Sequence, residues 1–105
     1  MKIKITVSVA MVLLGLVPGV QAQDKEALYV KSLAATCASC HGTNGRAVEG
    51  SSVVSLAGLD KAYTIAQMQA FKTGSRPATV MHQLSKGYSD AQIEALATYF
   101  AAQKK

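Results

Sequence analysis

The sequence predicts an all-α fold, and three observations lead there. Apolar residues recur three and four positions apart, as they do along one face of a helix. No stretch keeps the strict alternation of a half-buried strand. Gly42, Gly45, Gly50, Gly58, Gly74 and Gly87 fall between or after the periodic stretches, where helices must end. A length of 105 residues suits one small domain rather than several.

The amino end differs in kind from the rest. Lys2 and Lys4 precede an apolar run over 5–17, followed by Pro18, Gly19 and the small-residue site Val20-Gln21-Ala22. Charge, short apolar stretch and cleavage site in this order read as a secretory signal peptide over 1–22, which places the working domain, 23–105, in the periplasm. A membrane anchor fits less well, because Thr6 and Ser8 interrupt a run shorter than the roughly 18 apolar residues of a spanning helix. Loss of Lys2 and Lys4 lowers the formal net charge from +5 to +3. The remaining basic residues are scattered and no aromatic-rich basic stretch exists, which argues against a nucleic-acid partner.

Residues 23–105 contain fifteen alanines but only thirteen Leu, Ile or Val. A domain this small buries a low fraction of its surface and is marginal on its own. Cys37 and Cys40 are the only cysteines, and a disulfide between them would close a loop too short to constrain much of the chain. A metal or a large apolar cofactor is therefore expected to complete the interior.

The first helix is expected to start near Asp24, a favourable N-cap, and to run to Cys40. Ala27, Val30, Leu33, Ala34 and Cys37 share one face of it. A glycine-rich loop follows over 42–59, with Val53, Val54, Leu56 and Leu59 available to pack inward. Asp60 caps a second helix running to about Thr73, with Ala62, Ile65, Ala66 and Met68 as its apolar face, and Gly74 suits the left-handed residue that ends it. Pro77 holds Arg76 away from helical angles, and residues 79–86 form a short helical turn. The last helix carries the clearest pattern. Ser89 and Gln92 have capping-box spacing, and Ile93, Leu96, Ala97 and Phe100 follow at i, i+3, i+4 and i+7. Lys104 and Lys105 lie where cations favour a helix C-terminus. This helix is expected to cross the first, with Ala34 and Ala97 permitting close approach.

Cys37-Ala38-Ser39-Cys40-His41 is a CxxCH sequence, the attachment signature of c-type haem. Two cysteines three apart lie on one side of a helical turn, where their sulfurs reach the two vinyl-derived carbons of one porphyrin. His41 then comes under the ring as the proximal iron ligand. A thioredoxin-like CxxC expects a βαβ setting that the chain lacks. A structural zinc site uses four Cys or His ligands, and the sequence offers only these three residues and His82. A plain disulfide leaves His41 and the thin core without a role. One covalent haem c is the expected cofactor.

The sixth iron position decides between electron transfer and chemistry on a small molecule. Candidates after the leader are Met68, Met81 and His82. Met68 sits at helical spacing between Ile65 and Phe71 and reads as a core residue. Met81 follows the proline-broken segment Arg76-Pro77-Ala78-Thr79-Val80 and is favoured as the distal ligand, with His82 as the alternative. A thioether ligand favours ferrous iron and raises the reduction potential. With both axial positions filled, the iron is suited to carrying electrons rather than binding substrate.

On these residues the chain over 24–103 resembles a class I cytochrome c, with an N-terminal helix into CxxCHG, a glycine-rich loop, a methionine loop and a C-terminal amphipathic helix. The resemblance implies that the N- and C-terminal helices pack around one covalently attached haem, with Cys37 and Cys40 as thioether anchors, His41 as proximal and Met81 as distal ligand. Ser55-Leu56-Ala57-Gly58-Leu59, Phe71-Lys72-Thr73-Gly74-Ser75-Arg76-Pro77 and Thr79-Val80-Met81-His82-Gln83-Leu84-Ser85-Lys86-Gly87-Tyr88-Ser89-Asp90 are similar to the cytochrome subunit of flavocytochrome c sulfide dehydrogenase, of the monohaem kind. That resemblance implies a flavoprotein partner that oxidises sulfide and passes its electrons to the haem. Class I cytochromes usually have a proline in the loop after CxxCH whose carbonyl orients the proximal histidine. Val54 stands at that place here, and it still offers the carbonyl.

The expected function is a periplasmic one-electron carrier and not an enzyme. No second histidine, acid pair or substrate pocket accompanies the motif. Rival readings are a diffusible shuttle between respiratory complexes and a haem-based ligand sensor. Lys72, Arg76 and Lys86 flank the methionine loop and are candidates to steer an acidic partner surface. Arg46 and Arg76 are candidates to pair with a haem propionate.

Overall fold

The computed structural model describes residues 19–105, with side chains from Asp24 onward. Most of the leader expected over 1–22 therefore lies outside the described residues. Five α-helices follow one another: α1 (Gly19–Ala35), α2 (Ala38–His41), α3 (Lys61–Thr73), α4 (Met81–Leu84) and α5 (Asp90–Ala101). Single 3-10 turns stand at Thr43–Gly45 and Ser85–Gly87, and there is no strand among the described residues. The all-α expectation holds.

α1 differs from the expected helix at both ends. It is already formed before Asp24, which lies inside it and caps nothing, because the preceding Val20-Gln21-Ala22-Gln23 contains no helix breaker. It stops at Ala35 instead of running to Cys40. There the Thr36 hydroxyl donates to the Leu33 carbonyl at 2.7 Å, while the Thr36 and Cys37 amides fall back on the carbonyls three residues earlier. A side chain competing for a helical acceptor and a tightened last turn end the helix. The chain turns there, and α2 starts afresh with its His41 amide bonded to the Cys37 carbonyl at 2.9 Å.

α3 and α5 begin and end as the sequence indicates. The Asp60 carboxylate accepts from the Tyr63 amide at 2.9 Å, and Gly74 closes α3 in the left-handed region. Ser89 and Gln92 form both bonds of the capping box. Ile93, Leu96, Ala97 and Phe100 are all buried. Lys104 and Lys105 lie beyond the last turn of α5, so they do not complement its end directly. Instead, the Lys104 carbonyl accepts from Arg46 Nε at 2.8 Å and ties the tail to the first loop.

α1 and α3 both pack on α5. Ala34, Leu96 and Phe100 form the centre of the core, with Leu33, Cys37, Leu56, Tyr88 and Tyr99 packed around it. The Phe100 and Tyr99 rings meet edge to face at 5.2 Å. The loop over 42–59 is pinned to this core. Gly45 lies so close to Phe100 that an added Cβ would come within 2.7 Å of its ring. The Gly45 carbonyl accepts from the amides of Leu56 and Ala57 and from the Ser55 hydroxyl, and the Gly58 amide donates to the Phe100 carbonyl. These bonds set the path of the segment that contains Val54.

Candidate functional site

Cys37 and the α2 residues that follow it carry the CxxCH motif where α1 turns over into the first loop. The motif's last residue, His41, is only 8 % exposed. The loop then doubles back, and Gly42 makes this possible with φ +87°, at a point where any Cβ would collide with the Arg46 carbonyl. Thirteen residues on, the returning chain presents the Val54 carbonyl, and His41 Nδ1 donates to it at 2.6 Å. The bond assigns the proton to Nδ1, fixes the ring plane and leaves Nε2 with its lone pair free. The place usually held by proline is thus served by the valine carbonyl, as expected.

Cys37, Cys40, His41 and Met81 all line one cavity of about 460 Å³. That volume lies within the range of cofactor pockets, about 300–1,000 Å³. Its walls are mostly aliphatic and aromatic, with Leu56, Leu59, Phe71, Leu96 and Phe100 contributing. Val54, Val80 and Leu84 also line it while remaining half or more exposed, so they stand at its rim. Cys37 and Cys40 are not joined to each other, and burial pushes the Cys37 thiol up, offset only in part by the Thr36 hydroxyl. The Thr36 and Tyr88 hydroxyls share a hydrogen bond of 2.9 Å, joining the end of α1 to the segment before α5 beside the same cavity.

One expectation about the walls needs correction. Of the four residues expected on the inward face of α3, Ala62, Ile65, Ala66 and Met68, Met68 alone lines the cavity. Ala62 and Ala66 are exposed, whereas Thr64, Gln67, Met68 and Phe71 line the cavity. Reading for apolar periodicity passed over Thr64 and Gln67 because they are polar, although Thr64, Met68 and Phe71 have the i, i+4, i+7 spacing of one face. Met68 thus lines the cavity alongside Leu96 and Phe100 of the core. Among the other sixth-ligand candidates, Met81 lines the cavity and His82 does not.

The cations around the methionine loop also have nearer partners than a distant surface. Lys72 is 3.7 Å from Asp90 and donates to the Tyr88 carbonyl. Arg76 donates to Gln67 at 2.6 Å and lies 4.6 Å over the Phe71 ring. Lys86 is exposed. Among the described residues no group of three or more His, Cys, Asp and Glu could hold a metal ion. No described helix is long and apolar enough to cross a membrane.

A histidine with a fixed ring and a free Nε2, two thiols at the attachment spacing and apolar walls on one cavity fit a covalently held planar iron cofactor. The fold and site define a helical c-type haem module. The cytochrome c family model matches residues 27–104, and the chain belongs to the cytochrome c family. Its cofactor is accordingly haem c.

Several relatives are named as cytochromes or as electron acceptors. The chain is 40 % identical over 68 residues to the cytochrome subunit of sulfide dehydrogenase of Chlorobaculum tepidum, covering 65 % of this chain and 60 % of that protein. It is 39 % identical over 71 residues to the thiosulfate dehydrogenase electron acceptor of Thiomonas intermedia, covering 68 % of this chain and 33 % of that protein. Cytochrome c-553 of Helicobacter pylori is 34 % identical over 71 % of this chain and 78 % of its own length. The chain thus spans between a third and three-fifths of the first two relatives.

Proposed function

We propose that this protein is a one-electron carrier in which Cys37 and Cys40 anchor one haem c, His41 is the proximal iron ligand and Met81 the distal one. The observation that carries this reading is the convergence of these four residues on one cavity, with His41 Nδ1 bonded to the Val54 carbonyl. When bound, the haem supplies an iron that cycles between ferric and ferrous states. His41 holds its imidazole in one orientation through that carbonyl bond, so little rearrangement accompanies the change of charge. Leu96 and Phe100, both buried, exclude water from the inner wall. Val54, Val80 and Leu84 leave an apolar rim through which an electron partner can approach.

The working domain in this reading is 23–105, released after Ala22 into the periplasm. The electron donor is a sulfide-oxidising flavoprotein, a reading supported by the 40 % identity to the Chlorobaculum cytochrome subunit. A diffusible carrier serving another donor is the second reading, favoured by the 39 % identity to the thiosulfate dehydrogenase electron acceptor.

The ligand assignment is tested on the holoprotein by replacing each methionine in turn. Met81→Ala is expected to change the visible spectrum and let the reduced protein bind carbon monoxide, while Met68→Ala keeps the wild-type spectrum. A wild-type spectrum in Met81→Ala would overturn the assignment. Native size exclusion of periplasmic extract separates the two carrier readings, because a small haem species running alone counts against a flavoprotein subunit.

A further inference from the structure

A haem has two unlike edges. Its vinyl-derived edge is committed to the cysteines, and two propionate carboxylates leave the opposite edge of the macrocycle. A carboxylate at a partly enclosed site requires a positive neighbour and hydrogen-bond donors, or it is driven to its neutral form. Among the residues lining the cavity, Arg76 is the one that carries a full charge at neutral pH, and none is Asp or Glu. The other titratable residues lining it are Cys37, Cys40, His41, Tyr63 and Tyr88.

Arg76 is also held in place. Its Nη1 donates to Gln67 Oε1 at 2.6 Å, and its guanidinium lies 4.6 Å over the Phe71 ring. An amide and an aromatic face thus orient a planar fork that still has N–H groups to offer, the geometry that suits a carboxylate. Gln67 uses its oxygen on Arg76 and keeps its amide hydrogens available. One turn earlier on the same face of α3 is Thr64, 8 % exposed, whose hydroxyl is buried without a hydrogen-bond partner. Buried polar groups nearly always have partners, so this orphan hydroxyl on a cavity wall points to a polar group of the occupant. Arg46, the rival cation, donates to the Lys104 carbonyl and does not line the cavity.

We propose that Arg76, oriented by Gln67 and Phe71, forms with the Thr64 hydroxyl the binding site for the haem propionates, and so keeps them ionised beside the iron. This inference rests on the haem reading of the cavity. Its test is the midpoint potential of the holoprotein followed by spectroelectrochemistry from pH 5 to 9. The set is wild type, Arg76→Gln, Arg76→Lys, Thr64→Val and Arg46→Gln, each checked by mass for covalent haem and by spectrum for unchanged axial ligation.

Loss of the guanidinium raises the proton affinity of the carboxylate by about tenfold or more. Arg76→Gln is therefore expected to move the pH-dependent part of the curve to higher pH and to lower the potential above it, because a positive neighbour no longer disfavours ferric iron. Thr64→Val shifts the curve the same way by less, Arg76→Lys falls between Arg76→Gln and wild type, and Arg46→Gln follows wild type. If Arg76→Gln does not retain haem, Arg76→Lys and Thr64→Val carry the comparison. Curves for the Arg76 and Thr64 variants that superimpose on wild type, with haem and ligation intact, overturn the propionate site alone. A wild-type protein without covalent haem overturns the haem reading and this inference together.

Discussion

Gly45→Ala isolates how tightly the first loop is fitted to the last helix. Gly45 and Gly50 have nearly the same backbone, φ +76° and +80°, so an alanine at either suffers the same left-handed penalty. Their surroundings differ. A Cβ at Gly50 meets nothing within 4 Å, whereas one at Gly45 comes within 2.7 Å of Phe100 Cδ1 and 2.9 Å of Leu56 Cβ. Carbon atoms settle at about 3.5–4.0 Å, and Phe100, 2 % exposed and wedged against Tyr99, has little room to yield. The shared term is about 1–2 kcal/mol, and overpacking adds about 1–3 kcal/mol at Gly45 alone. Gly50→Ala is expected to cost about 1–2 kcal/mol and Gly45→Ala about 2–5 kcal/mol. Guanidinium unfolding of the holoproteins, followed by far-UV circular dichroism with a common slope, reads the difference. Because the Gly45 carbonyl holds Ser55, Leu56 and Ala57, next to Val54, the midpoint potential is expected to move in Gly45→Ala and to stay in Gly50→Ala. A Gly45→Ala protein no less stable than Gly50→Ala would refute the reasoning.

Three further outcomes follow from the same contacts. Ser89→Ala removes the acceptor of the Gln92 amide and is expected to cost about 1 kcal/mol in the same unfolding assay. A chain with Cys37→Ala and Cys40→Ala, unable to anchor haem, is expected to lose most of its helical circular dichroism, and a cooperative helical apoprotein would count against a cofactor-completed core. Intact mass of protein recovered from periplasm is expected to match a chain beginning at Gln23, whereas retention of residues 1–22 would exclude cleavage after Ala22.

What the sequence revealed was mostly what lies close together along it. The capping box at Ser89 and the stripe from Ile93 to Phe100 are local signals, and α5 obeys them. CxxCH is equally local, and its three reactive residues do reach the cavity that Met81 also lines. The end of α1 at Ala35 was hidden, because Cys37 continues the apolar periodicity and the Thr36 hydroxyl that breaks the helix is silent in such a pattern. The inner face of α3 escapes such a pattern for a different reason. Apolar periodicity identifies the side of a helix that meets other side chains, but Thr64 and Gln67 face a cavity with room for a cofactor that has polar groups of its own. Lys72 and Arg76 looked like steering charges because their partners, Asp90, Tyr88 and Gln67, are 9 to 18 positions away.

The small interior has a consequence for how the protein is made. By its own packing the described chain buries six apolar residues, and three of them are alanines. Such an interior supplies little to hold the helices together, so cofactor attachment becomes the folding decision itself. A chain that misses attachment stays open to proteases, and one that succeeds is protected from them. Molecules that survive are then the loaded ones. Folded but colourless copies would not accumulate to occupy a redox partner without delivering an electron.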